Sequence, residues 1–286
     1  MSRRTQIAAW AAAVAVVALV AAQAWQRHQL AQLLVSLDAE AAALALEPQS
    51  AASGAALPGD LPPPVARYLK HALPDTSRRI RAARFAQEGV LRTYGNSERW
   101  MAFTARHAVA PGAAAFVWDA TVALFPLVHL EVRDSLIGGR GAGQVVLLSV
   151  APVGSAGGNR EMNSGALQRF LAEAAWYPTA LLPGRHLQWT PIDDSRAFAT
   201  LTRAGISATL EFRFNAANEI AGIYTSGRWG SFDGGYRQVP WEGRFSDYTL
   251  REGMRVPTRG EVGWIIDGRW QAVWRGNIVD ADYTFE

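Results

Sequence analysis

Ala114 to Leu124 reads AAFVWDATVAL. Phe116, Trp118, Ala120, Val122 and Leu124 fall on one face of an extended chain, because successive side chains of a strand point to opposite sides. Ala115, Val117, Asp119, Thr121 and Ala123 fall on the other. The stretch therefore predicts a strand with one wholly apolar face. The same alternation recurs further along. In 207–214, Ala208, Leu210, Phe212 and Phe214 oppose Ser207, Thr209, Glu211 and Arg213. In 256–266, Val256, Val262, Trp264 and Ile266 oppose Arg259 and Glu261. Strands over 84–94, 98–109, 127–137, 143–150, 186–192, 196–204, 219–229, 241–250 and 269–284 complete the pattern. Turn residues separate them at Gly95-Asn96, Gly138-Gly139, Asn215 to Asn218, Gly234-Gly235 and Asp267-Gly268. Eleven or twelve strands without βαβ alternation predict a mainly β domain built on one large antiparallel sheet. A sheet of that size is expected to curl into a half-barrel or barrel.

One helix interrupts the strands. Asn163 or Ser164 is the expected cap, and the helix runs to about Trp176. Leu167, Phe170, Leu171 and Ala174 share one face, while Arg169, Glu173 and Trp176 fall on the opposite one at i, i+4 and i+7. A helix with two such sides suits a plug or lid across the concave face of a curved sheet. A shorter helix is expected after Asp60, with Pro62 to Pro64 tolerated in its first turn and Val65, Tyr68, Leu69 and Ala72 on one face.

The N-terminal residues set the compartment. Arg3 and Arg4 precede Ile7–Ala24, 18 residues without a charge, of which ten are Ala. At 1.5 Å per residue the run spans roughly 27 Å, just enough for a ~30 Å hydrocarbon core. Two readings stand: an inner-membrane anchor at 1–25, or a signal peptide cleaved after Ala22-Gln23-Ala24. Both keep the arginines inside and export the rest to the periplasm. Residues 26–46 follow as an amphipathic helix, with Leu30, Leu34, Leu37, Ala41 and Leu44 in one stripe. Residues 47–59 read as a linker, and 60–286 as the β-rich exported domain.

Composition narrows the function classes. There is no Cys, which excludes disulfides and a lipidated N-terminal cysteine. Lys70 is the single lysine in a chain of formal charge +3, so the cations are nearly all Arg without a large basic excess. An exported chain of this charge has no nucleic-acid partner in prospect. Hydrophobic content of 49% supports a large core. The histidines, His28, His71, His107, His129 and His186, lack metal-ligand spacing. No GxSxG elbow is present. Neither a metal nor a cofactor is implied. Gly138 to Gly143, GGRGAG, is followed by the strand-like QVVLLSV, so it reads as a hairpin and not as a phosphate-binding loop.

Candidate ligand contacts remain. In 127–137 Asp134 shares the face of Val128, Leu130, Val132 and Leu136. A carboxylate on an apolar face is costly unless paired. It is either the partner of an Arg or a polar handle in a cavity. Glu173 either pairs with Arg169 at i, i+4 or faces a pocket. Seven of the Trp residues, Trp100, Trp118, Trp229, Trp241, Trp264, Trp270 and Trp274, fall on expected strands. Most belong to the core, and a minority can wall a cavity for an apolar ligand. The contacts expected are Trp118, Trp176 and Trp264 as walls, with Asp119, Asp134 and Glu173 as polar handles.

Leu171 to Pro183, LAEAAWYPTALLP, followed by Leu187 to Asp193, LQWTPID, resembles the signature of a bacterial family of unknown function. Phe85 to Gly89, Phe116 to Ala120 and Asp134 to Gly141 support the resemblance, which spans roughly 60–285. It implies no catalytic residue. The expected architecture is also similar to periplasmic lipoprotein-carrier folds, at the level of fold alone. The expected function is non-catalytic binding of a lipid or other apolar ligand in the cell envelope. Two alternatives stay open: an envelope hydrolase with Asp134 or Glu173 as general acid or base, and a partner-binding structural or sensor protein.

Overall fold

A computed structural model describes residues 3–45, 57–92, 98–232 and 235–286. Most of the expected linker 47–59, the turn at Gly95-Asn96 and Gly234 lie outside the described residues. The first half of the sheet is a meander of β1 (Ile80–Leu91), β2 (Met101–Ala110), β3 (Ala115–Phe125), β4 (Val128–Ile137), β5 (Arg140–Leu147) and β6 (Ala151–Gly157). Helix α3 (Arg160–Glu173) then crosses the molecule. The second half returns through β7 (Leu187–Asp193), β8 (Arg196–Arg203), β9 (Ile206–Phe214), β10 (Ile220–Phe232), β11 (Gly235–Arg251), β12 (Met254–Ile266) and β13 (Arg269–Phe285). The strand order is β6-β5-β4-β3-β2-β1-β13-β12-β11-β10-β9-β8-β7. The first and last strands therefore pair antiparallel at the centre, from Ile80↔Phe285 to Leu91↔Trp274.

This is one antiparallel sheet of thirteen strands, curled into a half-barrel. The curl follows from what α3 touches. It packs on β4, β5 and β6 from one half and on β9 and β10 from the other. β5 and β9 are nine strand positions apart, about 43 Å in a flat sheet at ~4.8 Å per strand. A helix about 10 Å across reaches both only if the sheet bends round it.

Every segment expected to be a strand carries one, and β6 is the addition. Its sequence, APVGSAG, has turn composition and every residue is exposed. Backbone pairing with β5 alone makes it a strand, and no side-chain period records that. The cap of α3 also differs from expectation. Asn159, in extended conformation, accepts a hydrogen bond from Met162 N at 2.8 Å, so the helix starts at Arg160. Asn163 instead accepts from Gly141 N at 2.8 Å and ties α3 to β5.

Helix α1 (Arg3–Ala45) runs unbroken through both N-terminal segments. Its apolar first half is exposed, and by length and composition it can cross a membrane. Its second half packs Leu30, Leu33, Leu34, Leu37 and Ala41 on Ala108, Ala110, Ala115 and Val117. The odd-numbered face of 114–124 thus meets α1, while Phe116, Trp118, Ala120 and Val122 enter the main core on the concave side. Helix α2 (Pro63–Ala72) adds Val65, Tyr68, Leu69 and Ala72 to that core.

Candidate functional site

The segment after α3 seats the site. Tyr177 donates from its hydroxyl to Phe170 O at 2.7 Å. The Thr179 hydroxyl accepts from Ile80 N at 3.1 Å, and Tyr283 donates to Trp176 O at 2.8 Å. These bonds pin the helix exit to β1 and β13. Tyr177, Pro178, Thr179 and Leu181 are buried, and Thr179, Ala180, Leu182 and Pro183 border a separate cleft of about 370 Å³ shared with Arg79, Leu187 and Leu201. Of residues 176–183, Trp176 alone lines the cavity beneath α3.

That cavity measures about 310 Å³ and lies between α3 and the concave face. Trp118, Trp176, Trp241, Trp264, Trp274 and Phe245 supply aromatic walls; Leu91, Val132, Ile223, Val262 and Val273 fill between them. Five of the six residues expected from sequence line it: Trp118, Asp134, Glu173, Trp176 and Trp264. Asp119 does not. It lies on the opposite face, bonded to Arg133 Nε at 2.9 Å beside Gln23, Gln26 and Arg27 of α1. The β2–β3 and β3–β4 ladders keep their register through Trp118 and Asp119, so regular alternation sends the two side chains to opposite faces.

The charged wall is organised by Arg169. Its Nη1 binds Asp134 Oδ2 at 2.7 Å and its Nε binds Glu173 Oε1 at 2.8 Å. The guanidinium lies 5.0 Å from the Trp118 ring centre and 5.1 Å from that of Phe116. Both paired readings, Asp134 with an Arg and Glu173 with Arg169, are met by one side chain that also faces the cavity. Burial raises the pKa of Glu173, and Arg169 opposes the rise. His107 sits beyond, its Nε2 3.6 Å from Glu173 Oε2. Burial, reinforced by Arg169, holds His107 well below the usual histidine value. It is therefore neutral at pH 7, and its approach to Glu173 is not an ion pair. Among the described residues neither of its ring nitrogens has a hydrogen-bond partner.

Arg228 is the residue the sequence reading missed. It projects from β10 between Trp241 and Trp264, 4.7 Å and 5.3 Å from their ring centres. Its Nη2 donates to Gly165 O at 3.2 Å, while Nε is buried without an acceptor. Burial pushes its pKa down to about 10, and Arg169 adds to the effect. Strict alternation from Ile223 places Arg228 on the other face. The β10–β11 ladder shifts register between Thr225 and Arg228, and such a bulge brings both into the same cavity. The doublet Ser226-Gly227 within a strand is the only local signal of that shift.

Chemically, the site offers a largely apolar chamber with a carboxylate–guanidinium cluster at one wall. Among the described residues no group of three or more His, Asp or Glu side chains is placed to hold a metal ion.

The LolA superfamily protein of Nitrosomonas europaea is similar in structure at 11% identity, with 77% of this chain and 91% of that one covered and a TM-score of 0.39. A β-barrel-like protein of the DUF1849 domain of unknown function from Brucella abortus gives 10%, 72%, 99% and 0.23. A porin-like protein from Bacteroides uniformis gives 9%, 72%, 96% and 0.24. No curated protein matches the sequence. The resemblance to a family of unknown function is borne out by a family model matching residues 59–283: the chain belongs to DUF6920, a family of unknown function.

Proposed function

We propose that this protein binds a lipid or other apolar ligand without catalysis, in the cell envelope. Residues 7–24 would tether it to the inner membrane and leave 60–286 in the periplasm; cleavage after Ala24 would free it there. The observation that carries the binding reading is the 310 Å³ chamber walled by indole rings. Its size falls at the lower end of the ~300–1,000 Å³ usual for ligand pockets. The tether is supported by the charge-free, exposed first half of α1 behind Arg3 and Arg4. Hydrolysis through Asp134 and Glu173 is less favoured, because one guanidinium engages both carboxylates.

The test is native mass spectrometry with lipid extraction on protein purified from its own host. A lipid should co-purify. Val262→Trp, which fills the chamber from a half-buried wall position, should expel it while the melting temperature holds. Protein that is empty in every preparation would sink the proposal.

A further inference from the structure

The chamber does not end at its charged wall. A second cleft of about 230 Å³ lies under the first turns of α3, bounded by Met162, Gly165 and Ala166 above and Trp229 and Tyr236 below. The two spaces share Asp134, Arg169, Arg228 and Trp264. The two guanidinium groups therefore stand at the junction of an apolar chamber and a more polar cleft. Their situations differ. Arg169 is satisfied by two carboxylates. Arg228 has no carboxylate within ion-pair distance among the described residues, and its buried Nε has no acceptor. Asp134 and Glu173, each holding Arg169 with one oxygen, act on Arg228 only through space. A largely desolvated cation with no counter-ion in contact is costly, and an arginine lowered only to about 10 keeps its charge at pH 7.

We infer that the ligand is a single-chain anionic amphiphile, its carboxylate or phosphate head on Arg228 at the junction and its chain among the indoles. This rests on the apolar-binding reading above. A planar guanidinium with free donors suits either head group. A neutral head can accept from Nε but brings no counter-charge, and a cationic one meets Arg169 and Arg228 together. The single chain follows from the chamber volume.

The test uses the full-length chain in zwitterionic-lipid nanodiscs, titrated calorimetrically with dodecanoate, dodecyl phosphate and dodecanol and corrected for empty discs. Wild type should bind at least one of the two anions ten or more times tighter than dodecanol, and which one wins identifies the head group. Arg228→Gln should reduce that preference, read as the ratio of anion to dodecanol affinity within the same variant, to within twofold. Equal wild-type affinity for all three overturns the inference and leaves the apolar-binding reading standing, as does a preference that survives Arg228→Gln. Failure of all three to bind removes both. Should Arg228→Gln not fold, the wild-type ratio decides, with dodecyltrimethylammonium expected not to bind.

A separate observation concerns the β3–β4 and β5–β6 turns. Leu127 is 97% exposed, Phe125 61% and Leu148 40%. Gln23, Gln26 and Arg27 of α1 share a cleft with Asp119, Glu131 and Ser149, and Glu40 lies against Gly138. Helix α1 thus runs alongside β4 in the same direction. Leu127 is four residues before Glu131, about 13 Å at ~3.3 Å per residue, on the side where α1 becomes Ile7–Ala22. The geometry points to these turns dipping Phe125, Leu127 and Leu148 into the bilayer beside the anchor, an inference that rests on α1 spanning it. Arg99, stacked on Phe125 at 4.6 Å, is then placed near lipid phosphates.

The chain has no native Cys, so single cysteines can carry a fluorophore quenched by nitroxide lipids in nanodiscs. Labels at Val17→Cys and Leu127→Cys should be quenched, and one at Ala204→Cys, in the β8–β9 turn, should not. Quenching at 17 without quenching at 127 overturns the inference. No quenching at 17 removes the membrane reading itself.

Discussion

Arg169 holds Asp134 and Glu173 together, yet the residues of this cluster differ in what their loss leaves behind. Asp134 is 39% exposed at its side chain, and Glu173 still neutralises Arg169 without it. Asp134→Asn should therefore cost no more than about 1 kcal/mol, as for an exposed pair. Arg169→Met strands both carboxylates at the cavity wall and should cost about 3–5 kcal/mol. Equilibrium urea unfolding of the two variants measures the difference, and equal costs would contradict the shared-guanidinium arrangement. His107 makes a pH prediction. Its folded pKa lies well below 6.5 while its unfolded value is ordinary. The unfolded chain therefore takes up a proton that the native one refuses. The stabilisation is complete above pH 6.5 and is lost as pH falls toward the depressed folded value. His107→Phe, which keeps a ring against Phe85, Phe116 and Trp176, should flatten the melting temperature between pH 6.5 and 5. An unchanged slope would mean the ring is protonated in the folded state. Sequence parity alone placed Asp134 on the apolar face. The Arg that answers it was readable only as a partner of Glu173, because the Asp134 contact joins residues 35 positions apart.

At the scale of elements, the seating of α3 controls the cavity roof. A Cβ at Gly141 would lie 2.5 Å from Met162 O and 2.9 Å from the Ala166 Cβ. Gly141→Val should therefore push the helix outward at a cost of about 1–3 kcal/mol, as overpacking does, and weaken ligand binding with it. Asn159→Ala removes the cap and should cost about 1 kcal/mol, leaving the seat intact. Thermal unfolding combined with ligand titration separates the two: loss of binding in Asn159→Ala alone would place control in the cap. The GGRGAG run was legible as a hairpin, since Gly138 and Gly139 take φ of 57° and 73° between paired Ile137 and Arg140 and a two-residue turn with positive φ asks for glycine. The reason for Gly141 was not legible, because it lies in a helix that arrives twenty residues later.

For the whole molecule, the strand order makes a prediction about stability. β1 and β13 are flanked on both sides at the centre, whereas β6 and β7 are edges and β6 is exposed throughout. Amide hydrogen exchange should release β6 and β7 first and β1 and β13 last, as protection follows burial and pairing. Protection of β6 equal to that of β1 would indicate a further partner on that edge. Alternation of side chains at period two, a local property of consecutive residues, was enough to establish the strands and most of their faces, and spacing of three and four to establish the helix between them. The charge-free run before Trp25 was enough to mark a helix able to cross a membrane. The order of strands was not: β1 pairs with β13 across some 200 residues, and loop-closing partners of that separation leave no mark in either strand alone. Nor was the cavity's charged wall, which depends on the curl that sets α3 against both halves of the sheet and on a bulge in β10 that turns Arg228 inward. Those features arise from packing between distant residues, where each position's neighbours are chosen by the fold and not by the chain beside it.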